Sequence, residues 1–210
     1  MKIYDLQLGE LGANCYIVET APGRCIAVDI GGDSSYFLSF LKEKELALSK
    51  ILLTHGHFDH IGGVEDVRKA TGAEVFVHDG DVRMLTSAAY SLHIGMSRLP
   101  FVPVERFTAI NNGCVITDGD CTITLIHTPG HSEGSVCYVC GDVIFTGDTL
   151  FKGSAGRTDF PGSSPIDMHN SLYALYIIDK NCRIFPGHGE TTTLEYEKMT
   201  NPFMRGFNKI

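Results

Sequence analysis

Positions 54 to 60 read Thr54-His55-Gly56-His57-Phe58-Asp59-His60, directly after the apolar run Ile51-Leu52-Leu53. Three imidazoles and a carboxylate within six residues are difficult to explain as packing and match the side chains that bind metal ions. His55 and His57 are two apart, so they reach the same side only where the backbone is extended. Asp59 and His60 follow, where Gly62-Gly63 and an amphipathic run suggest a turn into a helix. One tight loop can therefore aim His55 and His57 at one metal, and Asp59 and His60 at a second. The alternative is a polar loop rich in histidine by chance, which leaves four ligand-type side chains without a role.

Three further polar spots each end a strand-like run: Thr128-Pro129-Gly130-His131, Thr146-Gly147-Asp148 and Pro186-Gly187-His188-Gly189. Glycine or proline beside each candidate lets the backbone turn sharply and approach closely. Added to the loop, they offer His55, His57 and His131 for one metal, and Asp59, His60 and His188 for another. Asp148 is left to bridge the two. Nitrogen and oxygen ligands without thiolate suit Zn, Fe or Mn. Two such ions about 3.5–4 Å apart can activate a shared water and polarise a carbonyl together. Spacing alone does not join these seven scattered residues.

The elements that must position them follow from the pattern of apolar residues. Residues 2–6, 14–20 and 25–30 read as strands, with Ala21-Pro22-Gly23 as a turn. Asp29, at a strand end before Gly31-Gly32, is either a helix-leading cap or a brace behind a metal loop. Asp33 or Ser34 caps a helix whose apolar face is Phe37, Leu38, Leu41 and Leu48. A buried strand at 50–53 leads into the histidine loop, followed by a helix at 64–71, a strand at 74–78 and a helix from 79 to about 92. Residues 95–106, with Pro100 and Pro103, form a long loop that is a candidate roof for a pocket. In the second half, 107–110, 114–117, 121–127, 135–139 and 143–146 read as strands. Ser164-Pro165 starts a helix with Met168, Leu172 and Leu175 on one face. A last strand at 183–185 and a Thr192-x-x-Glu195 capping box complete the chain. No linker divides it, so a single domain over 1–210 is expected, with two packed sheets and helices outside.

The 210 residues carry 17 Lys+Arg against 25 Asp+Glu, a net charge of −8 that argues against a broad nucleic-acid or acidic-membrane surface. It leaves room for an anionic substrate, because bound cations dominate the field locally. No run approaches membrane-spanning length and the first residues lack an apolar leader core, so a cytoplasmic protein is expected. The seven cysteines are scattered. Cys137 and Cys140, three apart in a strand, face opposite sides, so reduced thiols are expected. Of the remaining histidines, His127 suits a structural hydrogen bond, and His78 and His169 suit the surface or a helix face. His93 lies beside the loop with Tyr90. Arg157 is either an exposed loop cation or a substrate contact, and Lys152 is a weaker candidate.

In this order, T-H-x-H-x-D-H, T-P-G-H, G-D and P-G-H-G resemble the metallo-β-lactamase superfamily over residues 1 to about 195. The resemblance implies an α/β fold, a four-layer αβ/βα sandwich with two divalent metal ions, zinc first, at one edge between the sheets. It also implies that Asp29 stands behind the ligands. Residues 148–162, Asp148-Thr-Leu-Phe-Lys-Gly-Ser-Ala-Gly-Arg157-Thr-Asp-Phe-Pro-Gly, resemble the glyoxalase II branch, hydroxyacylglutathione hydrolases that cleave thioesters. There Arg157 takes the place of a basic residue that holds the glutathione part. Members with a full glutathione site carry an extra C-terminal helical domain. This chain ends soon after the last ligand, as the short hydrolases of the branch do.

The expected activity is metal-dependent hydrolysis of a small thioester. A hydroxide bridging the metals beside Asp148 is the attacking group, and Asp59 is a late proton shuttle. A thiolate, with a conjugate-acid pKa of about 8.5, leaves without a strong general acid. The rival is a mononuclear iron persulfide dioxygenase of the same superfamily, which needs only His55, His131 and Asp148 and shares the Gly-Arg-Thr-Asp-Phe run. The Pro186-Gly-His188-Gly189 form looks more like the hydrolases. RNA cleavage is disfavoured by the acidity, and a non-catalytic module by the complete ligand set.

Overall fold

A computed structural model describes residues 1–207. The first half supplies β1 (Lys2–Leu8), β2 (Ala13–Ala21), β3 (Arg24–Val28), α1 (Ser34–Glu43), β4 (Ala47–Leu52), α2 (Phe58–Ile61), α3 (Val64–Thr71), β5 (Glu74–His78) and β6 (Thr108–Ile110). Its six strands pair in sequence order, antiparallel from β1 to β3 and parallel from β3 to β6. The second half supplies β7 (Val115–Asp118), β8 (Cys121–His127), β9 (Val136–Cys140), β10 (Val143–Gly147), the small hairpin β11 (Leu150–Phe151) and β12 (Ser154–Ala155), α4 (Pro165–Tyr176), β13 (Arg183–Pro186), β14 (Thr192–Thr193) and α5 (Leu194–Thr200). The second sheet runs β14-β13-β10-β9-β8-β7, with β10 and β13 parallel.

Strand alternation sorts the buried side chains into three cores and so fixes the layers. On β2, Cys15 and Ile17 face Phe37 and Leu41 of α1 and Val64 and Val67 of α3. Tyr16 and Val18, one step out of phase, face Leu125, Tyr138 and Phe145 of the second sheet. Cys137 and Ile144, on the far face of that sheet, pack under Met168, Leu172 and Leu175 of α4 and Leu194 of α5. Helices, sheet, sheet and helices therefore stack as the four-layer αβ/βα sandwich that the resemblance implies. Cys137 and Cys140 fall in different cores, and all seven thiols are free. No helix among the described residues is long and apolar enough to cross a membrane.

Four local expectations need correction. Leu48 lies in β4, not on α1, which ends at Glu43 before Glu45 turns the chain at φ 54. Its helical spacing is a coincidence, because strand and helix deliver it to the same core. The helix expected over 79–92 is a 3₁₀ segment, Asp79–Thr86, stopped where Ser87 turns extended. Thr192 is a strand residue; Thr193 caps α5 by accepting a hydrogen bond from the Tyr196 amide, while Thr192 donates to Glu197. The loop at 95–106 roofs the pocket only in part: Met96 reaches it, whereas Val104 returns to the first core. The cap at Ser164, with Pro165 in the first turn of α4, is as the sequence indicates.

Candidate metal centre

Each candidate side chain sits just past the C-terminal end of a strand. The loop after β4 turns at His57, which is extended (φ −69, ψ 151) and leads directly into α2. That turn separates the His55–His57 pair from the Asp59–His60 pair. β10 and β13 run parallel with Gly147 opposite Pro186, so Asp148 and His188 emerge side by side. The two sheets are tied at this edge: the Val136 amide donates to the Thr54 carbonyl (2.8 Å) and the Tyr138 hydroxyl to that of Leu53 (3.0 Å). Asn14 and Tyr16 of β2 in turn donate to the Pro186 carbonyl at 3.0 and 2.7 Å, holding the His188 loop. Gly187 is required here, because a Cβ would lie 2.3 Å from Asp148 Oδ1 and 2.8 Å from the His60 ring.

The seven side chains converge. His55, His57 and His131 bring nitrogens within 4.8 Å of one another, as do the donor atoms of Asp59, His60 and His188, and those of His55, His60 and Asp148. Nδ1 of His57 is 2.9 Å from Nε2 of His131, and the Nε2 atoms of His60 and His188 are 3.3 Å apart. Asp148 lies between the two triads, with Oδ2 3.4 Å from His131 Nε2 and Oδ1 3.5 Å from His60 Nε2. Asp59 Oδ2 is 3.2 Å from His188 Nε2.

This arrangement fits divalent cations on its own chemistry. His55 Nε2, His57 Nε2 and Asp148 Oδ1 are buried without a hydrogen-bond partner, a cost that a cation can offset for groups facing the cluster. Burial, then the neighbouring imidazoles, pushes His55 down and His57 down to about 3, so both offer neutral lone pairs. Burial opposes charge on His60, but Asp59, Asp29 and Asp148 outweigh it and raise the ring to about 10. Burial would likewise raise Asp59, yet His60 and His188 hold it well below the usual carboxylate range. The acidic side of the cluster thus attracts positive charge, and a metal ion can replace that proton.

Hydrogen bonds behind the candidates fix their orientation. Asp29, itself at φ 55, accepts from the Thr54 amide (2.8 Å) and hydroxyl (2.7 Å) and pairs with His60 Nδ1 (2.8 Å). His131 Nδ1 donates to the Arg157 carbonyl at 2.9 Å. Asp81 is a brace that sequence reasoning missed. Its buried carboxylate accepts from the Gly56 amide (2.9 Å), the Gly134 amide (2.7 Å) and the Ser132 hydroxyl (2.6 Å), and burial raises its pKa. It therefore grips the loop between His55 and His57 and the loop after His131. The available signal was an acid just past a strand end, the same pattern as Asp29.

Above the seven residues opens a cavity of about 380 Å³. The first half of the chain lines it with Leu11, Phe58, Leu92 and Met96, and the second half with Phe151, Ser154, Ala155, Arg157 and Phe160. The Arg157 guanidinium forms a two-bond fork with Asp159, both at 2.6 Å, and lies 4.2 Å from the Phe160 ring centre. Lys152 is exposed and paired with Glu190. His93 is edge-on to Phe58 and Phe101, and His169 is an exposed residue on α4 against Phe207. His127 bonds the Glu133 carbonyl at 2.9 Å, a structural role. His78 is a correction: it is buried, not superficial, and stacks on His127 with ring centres 4.0 Å apart.

Residues 8–188 match the family profile described as the Metallo-beta-lactamase superfamily. Among curated relatives, the Bacillus subtilis "Probable metallo-hydrolase YqgX" is 33% identical over 99% of this chain and 100% of its own length. "Hydroxyacylglutathione hydrolase GloC" of Haemophilus influenzae is 29% identical over 97% and 98%. Among solved structures, BLEG-1 B3 metallo-beta-lactamase superposes with a TM-score of 0.89 and 32% identity over 97% of this chain and 99% of that one. TTHA1623 in a di-iron-bound form gives 0.86 and 34% over 95% and 99%. ETHE1 from Myxococcus xanthus gives 0.81 and 25% over 98% and 85%.

Proposed function

The chain belongs to the metallo-β-lactamase superfamily, and on that premise we propose that this metallo-hydrolase cleaves small thioesters at a two-metal centre, in the manner of glyoxalase II. The observation that carries the reading is the second triad. Asp59, His60 and His188 converge beside His55, His57 and His131, with Asp148 within 3.8 Å of donor atoms from both. An enzyme working through one metal does not need that second set. The likeness to the di-iron-bound TTHA1623 supports a pair of ions, and the likeness to GloC supports a thioester. Zinc, iron and manganese all suit the nitrogen and oxygen donors.

Bound there, two divalent ions supply Lewis acidity, lowering the pKa of water towards neutrality and polarising a carbonyl oxygen. The chain's own residues do the rest. Asp29, Asp81 and the Arg157 carbonyl keep the imidazoles aimed, so little reorganisation accompanies the reaction. Asp148, between the triads, keeps the attacking water and the scissile carbonyl close together. Asp59 lines the cavity beside His188 and is the candidate to relay a proton late in the reaction. The leaving thiolate, with a conjugate-acid pKa of about 8.5, needs no strong acid, and the site offers none. Arg157 stands at the wall where a carrier carboxylate would dock, although Asp159 already occupies its fork.

The second reading is oxygen chemistry on persulfides at one iron held by His55, His131 and Asp148. The 3.4 Å approach of His131 to Asp148 and the likeness to ETHE1 are compatible with it. An oxygen electrode beside a thiol-release assay separates the two. S-lactoylglutathione or a similar thioester should release free thiol without oxygen uptake. Oxygen consumed with glutathione persulfide, and no thiol from any thioester, would overturn the hydrolase reading.

A further inference from the structure

The two walls of the cavity differ in chemistry. Leu11 comes from the turn between β1 and β2, and Leu92 and Met96 come from the segment after the 3₁₀ helix; with Phe58 they form a wall without a charged or hydroxyl side chain. Leu11 is 51% exposed and Met96 45%, so this wall leaves apolar surface in water at the mouth of a polar site. The surface is also held in place. Glu10, next to Leu11, accepts hydrogen bonds from the Ser97 hydroxyl and from the Arg98 amide (3.2 Å), clasping the two loops that carry Leu11 and Met96. The lining from the second half of the chain instead carries Ser154 and the Arg157–Asp159 fork among Phe151, Ala155 and Phe160. Among the described lining residues, Arg157 is the sole Lys or Arg, and its charge is already matched.

A thioester whose carbonyl sits over Asp148 sends one arm to each wall. Thiol carriers bear amides, which suit Ser154 and the Arg157 fork. The acyl arm then meets Leu11, Leu92 and Met96, where a hydroxyl or carboxylate finds no partner and apolar carbons replace water.

Building on the hydrolase reading, we propose that the preferred substrates are thioesters with an uncharged, apolar acyl chain, and that Leu11, Leu92 and Met96 form the wall that selects them. Glu10 is a positioning residue for that wall.

The test uses metal-loaded protein and a series of N-acetylcysteamine thioesters from acetyl to hexanoyl, with S-lactoylglutathione beside them, reading free thiol. An added methylene on a partly open apolar wall should raise kcat/KM about threefold. Leu11→Ser and Met96→Ser should each reduce the hexanoyl-to-acetyl ratio of kcat/KM at least about fivefold, an internal ratio that general loss of active protein does not change. Glu10→Gln should weaken the clasp and reduce the same ratio to a smaller degree. A flat or falling series in the unaltered protein, or a ratio unmoved in both wall variants while thioesters are hydrolysed, overturns the acyl wall and leaves the hydrolase reading intact. Absence of thiol release from every thioester overturns both.

Discussion

The Asp81 carboxylate takes its hydrogen bonds from Gly56, Ser132 and Gly134, on the two loops that carry His55, His57 and His131. If those bonds set the geometry of the first triad, Asp81→Ala should weaken metal retention about 10- to 100-fold, the usual effect of losing an outer-shell partner. Asp81→Asn should fall between, because its amide oxygen still accepts while its NH₂ opposes an N–H donor. Competition with a chelator measures this without any substrate, and unchanged retention in both variants would remove Asp81 from the account. Four of the seven candidates were legible as ligand-type side chains crowded into one loop, and His131, Asp148 and His188 as such side chains beside a glycine or proline at a strand end. Asp81 was not, since its amide partners lie 25 and 53 residues away and any strand-end acid looks the same in sequence. The Arg157–Asp159 fork spans two residues, but only the loop's conformation shows that the cation is already paired.

At the scale of elements, the sandwich is pinned at the edge away from the metal centre by a second buried carboxylate. Asp118, at the end of β7, accepts from Thr20 (2.6 Å), Arg24 (2.6 and 2.9 Å), Ser49 (2.8 Å) and Lys50 (3.1 Å), joining the second sheet to β2, β3 and β4. Burial opposes ionisation, but these partners outweigh it and hold the carboxyl well below the usual range. A depressed folded-state pKa gives stability that is present above the unfolded value, about 3.9, and is lost as pH falls below it. Denaturant unfolding should show Asp118→Asn less stable by about 2 kcal/mol at pH 7. The gap to the unaltered protein should narrow steadily as pH falls below about 4, and a gap independent of pH would contradict this role. The strands were legible from alternation, and α3, β5 and β8 have the bounds the sequence indicates. Leu48 was misread because helical period and the start of a new strand can place an apolar residue in the same core. The 3₁₀ segment was misread because an apolar spacing of three or four does not distinguish it from an α-helix.

Seen as a whole molecule, the candidate centre joins the two halves of the chain. Four of its side chains come from the loop after β4 and the short α2 that follows it, and three from the ends of strands and turns in the second half. His60 and His188 are 128 residues apart in sequence and 3.3 Å apart at their Nε2 atoms. No local pattern expresses that approach; it results from the way the three cores stack the layers, and only the family resemblance anticipated it. Ions held there bind the folded chain and not the unfolded one, so the metal content reports on the architecture as well as the chemistry. The most direct test of the central claim is to titrate chelator-stripped protein with zinc, and separately with ferrous iron under anaerobic conditions, while reading bound metal and thiol release together. The two-triad site predicts that binding saturates at two ions per chain and that thioester hydrolysis reaches its maximum only as the second is bound. Saturation at a single iron, with thioesters untouched at every metal ratio, would contradict it.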